Sequence, residues 1–268
     1  MRGKLIYQHY KKHRNKLVLF VYFALRILIV SVTVISIISH RWKGVLSCIL
    51  ALILLLLPSI LERKLRLELP SVLEIIIILM VFAAWVLGEA EEFYIRIPWW
   101  DILLHTINGF LCAAVGFALF DVLNQHPASK LKVSPVYLAM MAFCFSMTIG
   151  VMWEFFEFGM DYFFHLDMQK DTVLSTISSM KLDLSDSGQT VTLSDISSVM
   201  VNGKELGLDG YLDIGLYDTM EDLIVNFIGA VVCCFCGLVY VRKRKFNRFT
   251  HTFIPEVIPK SEVQENSC

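Results

Sequence analysis

The chain's apolar residues gather into blocks each about 20 residues long, the thickness of a bilayer's hydrocarbon core in helical rise. In hydrocarbon a chain must satisfy its own backbone hydrogen bonds, and for blocks of this length that means α-helices. The expected fold class is an all-α polytopic membrane protein with six transmembrane helices, over 17–39, 44–60, 71–88, 102–124, 135–160 and 218–241. The second span is the shortest, closed by Pro58 and the run Leu61-Glu62-Arg63-Lys64, and the third starts after Pro70. The fifth can run on through Phe164, because only Gly159 interrupts it. Composition agrees: 56% of the 268 residues are hydrophobic and 18% charged, whereas a soluble domain carries about 25% charged. Membrane lipids are the expected surroundings, and no nucleic-acid partner is expected.

Lys and Arg set the orientation, because they accumulate on the cytoplasmic side of short loops. With the N-terminus inside, segments 1–16, 61–70, 125–134 and 242–268 hold 17 of the 24 basic residues, and the external segments hold six. Arg26 lies within the first span, where it needs a partner such as Glu74. Arg242-Lys243-Arg244-Lys245 marks a cytoplasmic stop, and the tail 242–268 is expected to be disordered. The first block follows a basic tail and lacks a small-residue cleavage site, so it reads as a retained span.

The longest segment between spans, 161–217, is expected outside the cell as a small β-containing insertion between the fifth and sixth helices. Asn202-Gly203 between short apolar runs predicts a hairpin, since a type I′ turn needs positive φ at both central residues. Asp209-Gly210 supplies a second turn, and the β element is expected over roughly 189–215. Six of the seven Cys lie inside apolar blocks and the external segments hold none, so no disulfide can staple the insertion.

Three spans carry polar residues at helical spacing. The fourth has Asp101, His105, Asn108, Cys112 and Gly116; the fifth has Ser146, Gly150, Glu154, Glu157 and Asp161; the sixth has Asp218, Asp222, Asn226, Gly229 and Cys233. At about 100° per residue, each set forms one stripe. The alternating direction of the spans places Asp101, His105, Glu154, Glu157, Asp161, Asp218 and Asp222 in the outer leaflet, above small residues that let helices approach closely. Carboxylates at that depth call for protons, a bound cation or an external ligand. As a metal site, His with carboxylates suits Zn, Mn or Fe, and carboxylates alone suit Mg or Ca. Asp101 and Asp218 also read as helix caps favoured by the dipole.

Other strings point elsewhere. Glu91-Glu92-Phe93-Tyr94-Ile95-Arg96 matches the E-E-x-x-x-R string of intramembrane CAAX-protease-like proteins, whose later His motifs have no counterpart here. Cys233-Cys234-Phe235-Cys236 lacks zinc-site spacing and reads as small packing residues. Trp99-Trp100 reads as an interfacial anchor.

The ordered set Pro98-Trp99-Trp100-Asp101 with Leu104-His105 and Gly109, Trp153-Glu154 with Glu157, Met168-Gln169, and Asp218-Thr219-Met220 with Asp222 and Gly229-Ala230 resembles a bacterial YjdF-type membrane family of unknown function. The resemblance runs from about Leu61 to Val241, and the segment between Gln169 and Leu216 is longer than the minimal family pattern. More distantly the chain is similar to VanZ-like proteins, with His105, Glu154 or Glu157, and Asp222/Asn226/Gly229 at the matching positions. The resemblance implies a bacterial cell membrane and an envelope setting, with no reaction attached.

Two functions remain open on these residues. One is an enzyme acting on a lipid or lipid-linked envelope substrate, with Glu154 and His105 as the catalytic groups and Asp101, His105, Glu154, Glu157, Asp161, Asp218 and Asp222 as the candidate ligands of a divalent metal. The other is a non-catalytic cation- or proton-binding protein or transporter, against which stands the lack of an inverted repeat.

Overall fold

The computed structural model describes residues 2–56, 58, 60, 67–68, 71–125, 133–185, 187–243 and 256–257. The Leu61-Glu62-Arg63-Lys64 closure of the second span, loop residues 126–132, Arg244-Lys245 and most of the C-terminal tail lie outside them.

Among the described residues, five helices are long and apolar enough to cross a membrane: Lys16–Ile38, Ser71–Ala90, Trp100–Asp121, Pro135–Phe164 and Leu216–Val239. The second expected span is represented by a shorter helix, Trp42–Leu54. The helices are α1 (Arg2–Ile38), α2 (Trp42–Leu54), α3 (Ser71–Phe82), α4 (Phe93–Arg96), α5 (Trp100–Gln125), α6 (Pro135–Phe164) and α7 (Leu216–Lys243). α6 does continue to Phe164, since a lone glycine costs a helix only about 1 kcal/mol.

α1 and α2 join through a tight turn at His40, which takes a left-handed φ of 55° while the Arg41 amide returns to the Ser36 carbonyl. α3 runs on as a π-helical segment, Ala83–Ala90, in which the Glu91 amide reaches back five residues to the Val86 carbonyl at 3.0 Å. Apolar spacing carries no sign of this widening, because every residue from Ala83 to Leu87 is apolar. Left-handed Glu92, φ 61°, ends the segment.

The chain divides into two compact units, one of Met1–Gly150 with Val225–Cys268 and one of Val151–Ile224. The larger unit has an apolar core around Leu25, Ile29, Cys48, Ala51, Ile78 and Val86, and another around Ala113, Phe117, Leu138, Ala142, Cys233 and Cys234. Cys233 and Cys234 thus serve as small packing residues. Arg26 lies over the Tyr22 ring, 5.8 Å from its centroid.

Glycines set how closely the helices of this unit pack. A Cβ at Gly109 would collide with the Asn226 backbone carbonyl, and one at Gly229 with the Thr106 carbonyl. The Ser146 hydroxyl donates to the Gly109 carbonyl at 2.8 Å. Asn226 is 1% exposed, with Gly150 making room for its amide, which donates to Met147 Sδ at 3.5 Å. Small residues and side-chain hydrogen bonds are what hold apolar helices together where lipid is as apolar as the core.

Strand β1 (Leu67–Glu68) pairs antiparallel with β8 (Glu256–Val257), so part of the tail expected to be disordered forms a short ladder. Within the smaller unit β2 (Thr172–Leu174) pairs with β7 (Tyr211–Asp213), and β3 (Ile177–Ser179) with β4 (Val191–Leu193). β5 (Met200–Val201) and β6 (Lys204–Glu205) form the expected hairpin, with Asn202 and Gly203 at φ 53° and 76°. β structure therefore begins at Thr172, well before 189. The β2–β7 ladder joins residues some 40 positions apart, and strands of three residues leave no readable period.

Candidate functional site

α6 and α7 supply the buried acidic cluster of the smaller unit. Glu154 and Glu157 stand three residues apart on α6, hence on one face, and Asp222 stands on α7. One oxygen from each lies within 4.8 Å of the other two, and the residues are 4%, 7% and 2% exposed. Trp153 Nε1 donates to Glu157 Oε1 at 2.8 Å and fixes that carboxylate against its own helix. Charge on carboxylates this close and this buried is costly away from water, and protons or a bound cation would lower that cost. A hard cation bound at about 2.0–2.6 Å spaces its oxygen ligands about 3–5 Å apart, and the approach of these three oxygens to within 4.8 Å of one another is compatible with that.

Asp161 and Asp218 do something else. Asp161 Oδ1 and Oδ2 accept the backbone amides of Met168 and Gln169 at 2.7 and 2.8 Å, and Asp218 Oδ2 accepts that of Lys170 at 2.8 Å. The Gln169 side-chain amide also donates to the Thr219 hydroxyl. The first-turn position of Asp218 on α7 thus serves a neighbouring strand of chain as well as the helix dipole.

Asp101 and His105 belong to the larger unit, one turn apart on α5, with His105 Nε2 3.4 Å from Asp101 Oδ1. His105 is buried and Asp101 half-buried. At the start of the same helix Trp100 meets Phe93 edge to face, with centroids 5.1 Å apart, and Trp99 is exposed, as an interfacial anchor requires. The Glu91-to-Arg96 string resolves into ion pairs, Glu92 with Arg96 at 3.0 Å and Glu91 with Arg41 at 3.1 Å. Arg41 also donates to the Ala90 carbonyl at 3.1 Å.

Among the described carboxyls outside the spans, two are perturbed. Burial raises the Asp171 pKa, and the neighbouring charges of Asp167, Asp161 and Asp213 add to it. The Asp183 carboxyl is held below its usual range by hydrogen bonds from the Ser185 and Ser187 hydroxyls.

Spacing did not point to Trp153, the amides of residues 168–170, or Arg41 with Glu91. The first two fall on pieces of the ordered motif, Trp153-Glu154 and Met168-Gln169, which was the available signal.

No curated protein and no solved structure matches the chain. The family described as "Predicted membrane protein (DUF2238)" matches residues 21–243. With helices long enough to span a bilayer and this match over most of its length, the chain belongs to the DUF2238 family of multipass membrane proteins.

Proposed function

We propose that the protein holds a divalent cation between Glu154, Glu157 and Asp222, in the outer leaflet of a bacterial cell membrane, and uses it on a lipid or lipid-linked envelope substrate. The observation that carries the reading is the approach of three buried carboxylates within 4.8 Å. An all-oxygen ligand set favours a hard ion, Mg, Mn or Ca, over Zn or Fe. Such an ion can polarise an oxygen of the substrate or activate water. Glu154 is the acid/base group of the catalytic form. The likeness to YjdF-type and VanZ-like proteins supports the envelope setting.

The reading includes six crossings with both termini in the cytoplasm. Arg41, just after α1, and Glu91, just after the π-helical segment, lie 3.1 Å apart. Two helices that end together after running in the same sense need a return crossing between them, and α2 with the residues after it is the chain available. The pairing of Leu67–Glu68 with Glu256–Val257 supports the same count, since both then lie on the cytoplasmic side.

The test is elemental analysis of detergent-purified protein, together with melting across titrations of Mg, Mn, Ca and Zn, for wild type and Glu154→Gln. A cation that binds the folded state raises its stability in proportion to RT ln(1 + [L]/Kd). Wild type is expected to gain melting temperature with a hard ion, and Glu154→Gln to lose that gain. Equal melting of the two across every titration would overturn the cation reading in favour of a proton-sharing pocket.

A further inference from the structure

We propose that residues 168–170 form a strap closing the Asp161/Asp218 end of the carboxylate cluster, and that its release controls access to Glu154, Glu157 and Asp222. The proposal takes from the preceding reading only the cluster as functional centre, and it names how that centre is reached.

Placement comes first. Glu157 precedes Asp161 by four residues on α6, and Asp222 follows Asp218 by four on α7. The cluster thus lies one turn, about 6 Å of rise, further into both helices than the residues that hold the strap. All three cluster residues are buried, so a ligand reaches them only when something moves.

The fastening has a particular form. Three consecutive backbone amides, of Met168, Gln169 and Lys170, donate to two carboxylates carried by different helices, Asp161 of α6 and Asp218 of α7. The Gln169 side chain adds a tie to Thr219, and glycine at position 215 leaves the room Gln169 needs. Residues 168–170 are half-buried, whereas Leu166, Asp167 and Asp171 on either side are exposed. The strap is therefore seated on the helix ends by side chains, and the β2–β7 ladder starts only after it. A segment held by a few hydrogen bonds opens locally without unfolding its unit.

Replacing the carboxylates with amides tests this directly. Asp161 accepts with both oxygens; an asparagine would turn its NH₂ group toward one of the amides, donor against donor. Thr219→Val removes the hydroxyl that accepts from Gln169 and leaves both carboxylates in place.

The full-length protein, wild type, Asp161→Asn/Asp218→Asn and Thr219→Val, is treated with a water-soluble carbodiimide and an amine. Modification at Glu154, Glu157 and Asp222 is followed residue by residue by mass spectrometry, and hydrogen exchange is followed at residues 168–170. The double variant is expected to be modified at the cluster at least tenfold faster than wild type. Thr219→Val is expected to fall between, and both variants to exchange faster at the strap. Faster exchange with unchanged cluster modification, in either variant, overturns the proposal. So does unchanged exchange and modification in both. If the double variant fails to fold, Thr219→Val decides alone by the same outcomes. No metal is added, so loss of the cation reading leaves this result standing, and the reverse also holds.

Discussion

Trp153 donates its indole N–H to Glu157 Oε1 across 2.8 Å, one helical turn away on α6. The contact selects one rotamer of Glu157 and turns its carboxylate to a fixed angle beside Glu154. Partners of this kind around a metal ligand commonly change affinity about 10–100-fold when removed. Trp153→Phe keeps an aromatic ring and deletes the donor. On the proposed cation reading it is expected to weaken binding of a hard cation at least tenfold while the metal-free protein melts as wild type does. Calorimetric titration showing equal affinity would reduce the indole to a packing residue.

Close helix approach makes one glycine indispensable and leaves another replaceable. A Cβ at Gly229 would overlap the Thr106 carbonyl, a backbone atom that cannot swing away. Overpacking of this sort costs about 1–3 kcal/mol, so Gly229→Ala is expected to lower the melting temperature in detergent. On α6, a Cβ added at Gly159 would meet nothing within 4 Å. Gly159→Ala should be neutral, or more stable by up to about 1 kcal/mol from helix propensity. Equal effects of the two substitutions would contradict this difference in packing.

The six-crossing reading places the exposed turn at Asp183, where the Ser187 hydroxyl donates to the Asp183 carboxylate at 2.9 Å, outside the cell. Ser187→Cys is therefore expected to react with a membrane-impermeant thiol reagent in intact cells. Reaction only after permeabilisation would reverse the orientation.

Asp171 sets a pH dependence with a definite sign. Its carboxyl pKa is raised by burial and by Asp167, Asp161 and Asp213. The folded chain thus binds its proton more tightly than the unfolded chain does, and stability falls as pH rises through the folded pKa. Asp171→Asn removes the repulsion and is expected to protect residues 167–175 from hydrogen exchange at pH 7. The difference from wild type should vanish on the acid side of the usual carboxylate range. A variant that exchanges faster than wild type at pH 7 would show that the ionised carboxylate stabilises this segment.

Much of the helix plan is legible in the sequence because hydrocarbon imposes a long, uniform pattern. The ends of α5, α6 and α7 fall within a few residues of the expected spans, since Pro135, the basic run at 242 and the polar flanks are local signals. Asn202-Gly203 is local in the same way, because two positive φ angles in a row suit few other pairs. The residues of the cluster were legible too: Glu154 and Glu157 share a face by spacing alone, and Asp222 is a carboxylate one turn inside a span.

What each acid does was not legible. Asp161 and Glu157 stand four residues apart on one stripe, and periodicity treats them alike. Only the folded chain brings the amides of residues 168–170 onto Asp161 and Asp218 and leaves Glu154, Glu157 and Asp222 grouped one turn further in. The β2–β7 ladder and the Arg41–Glu91 pair escaped for the same reason, whereas the π-helical segment, a local feature, was hidden by a uniformly apolar run. Helical period and hydropathy are properties of neighbours along the chain, so the sequence by itself determined the long apolar helices and their polar faces. Which carboxylates meet one another, and which meet a backbone amide, depends on partners distant in sequence, and tertiary structure alone decided it.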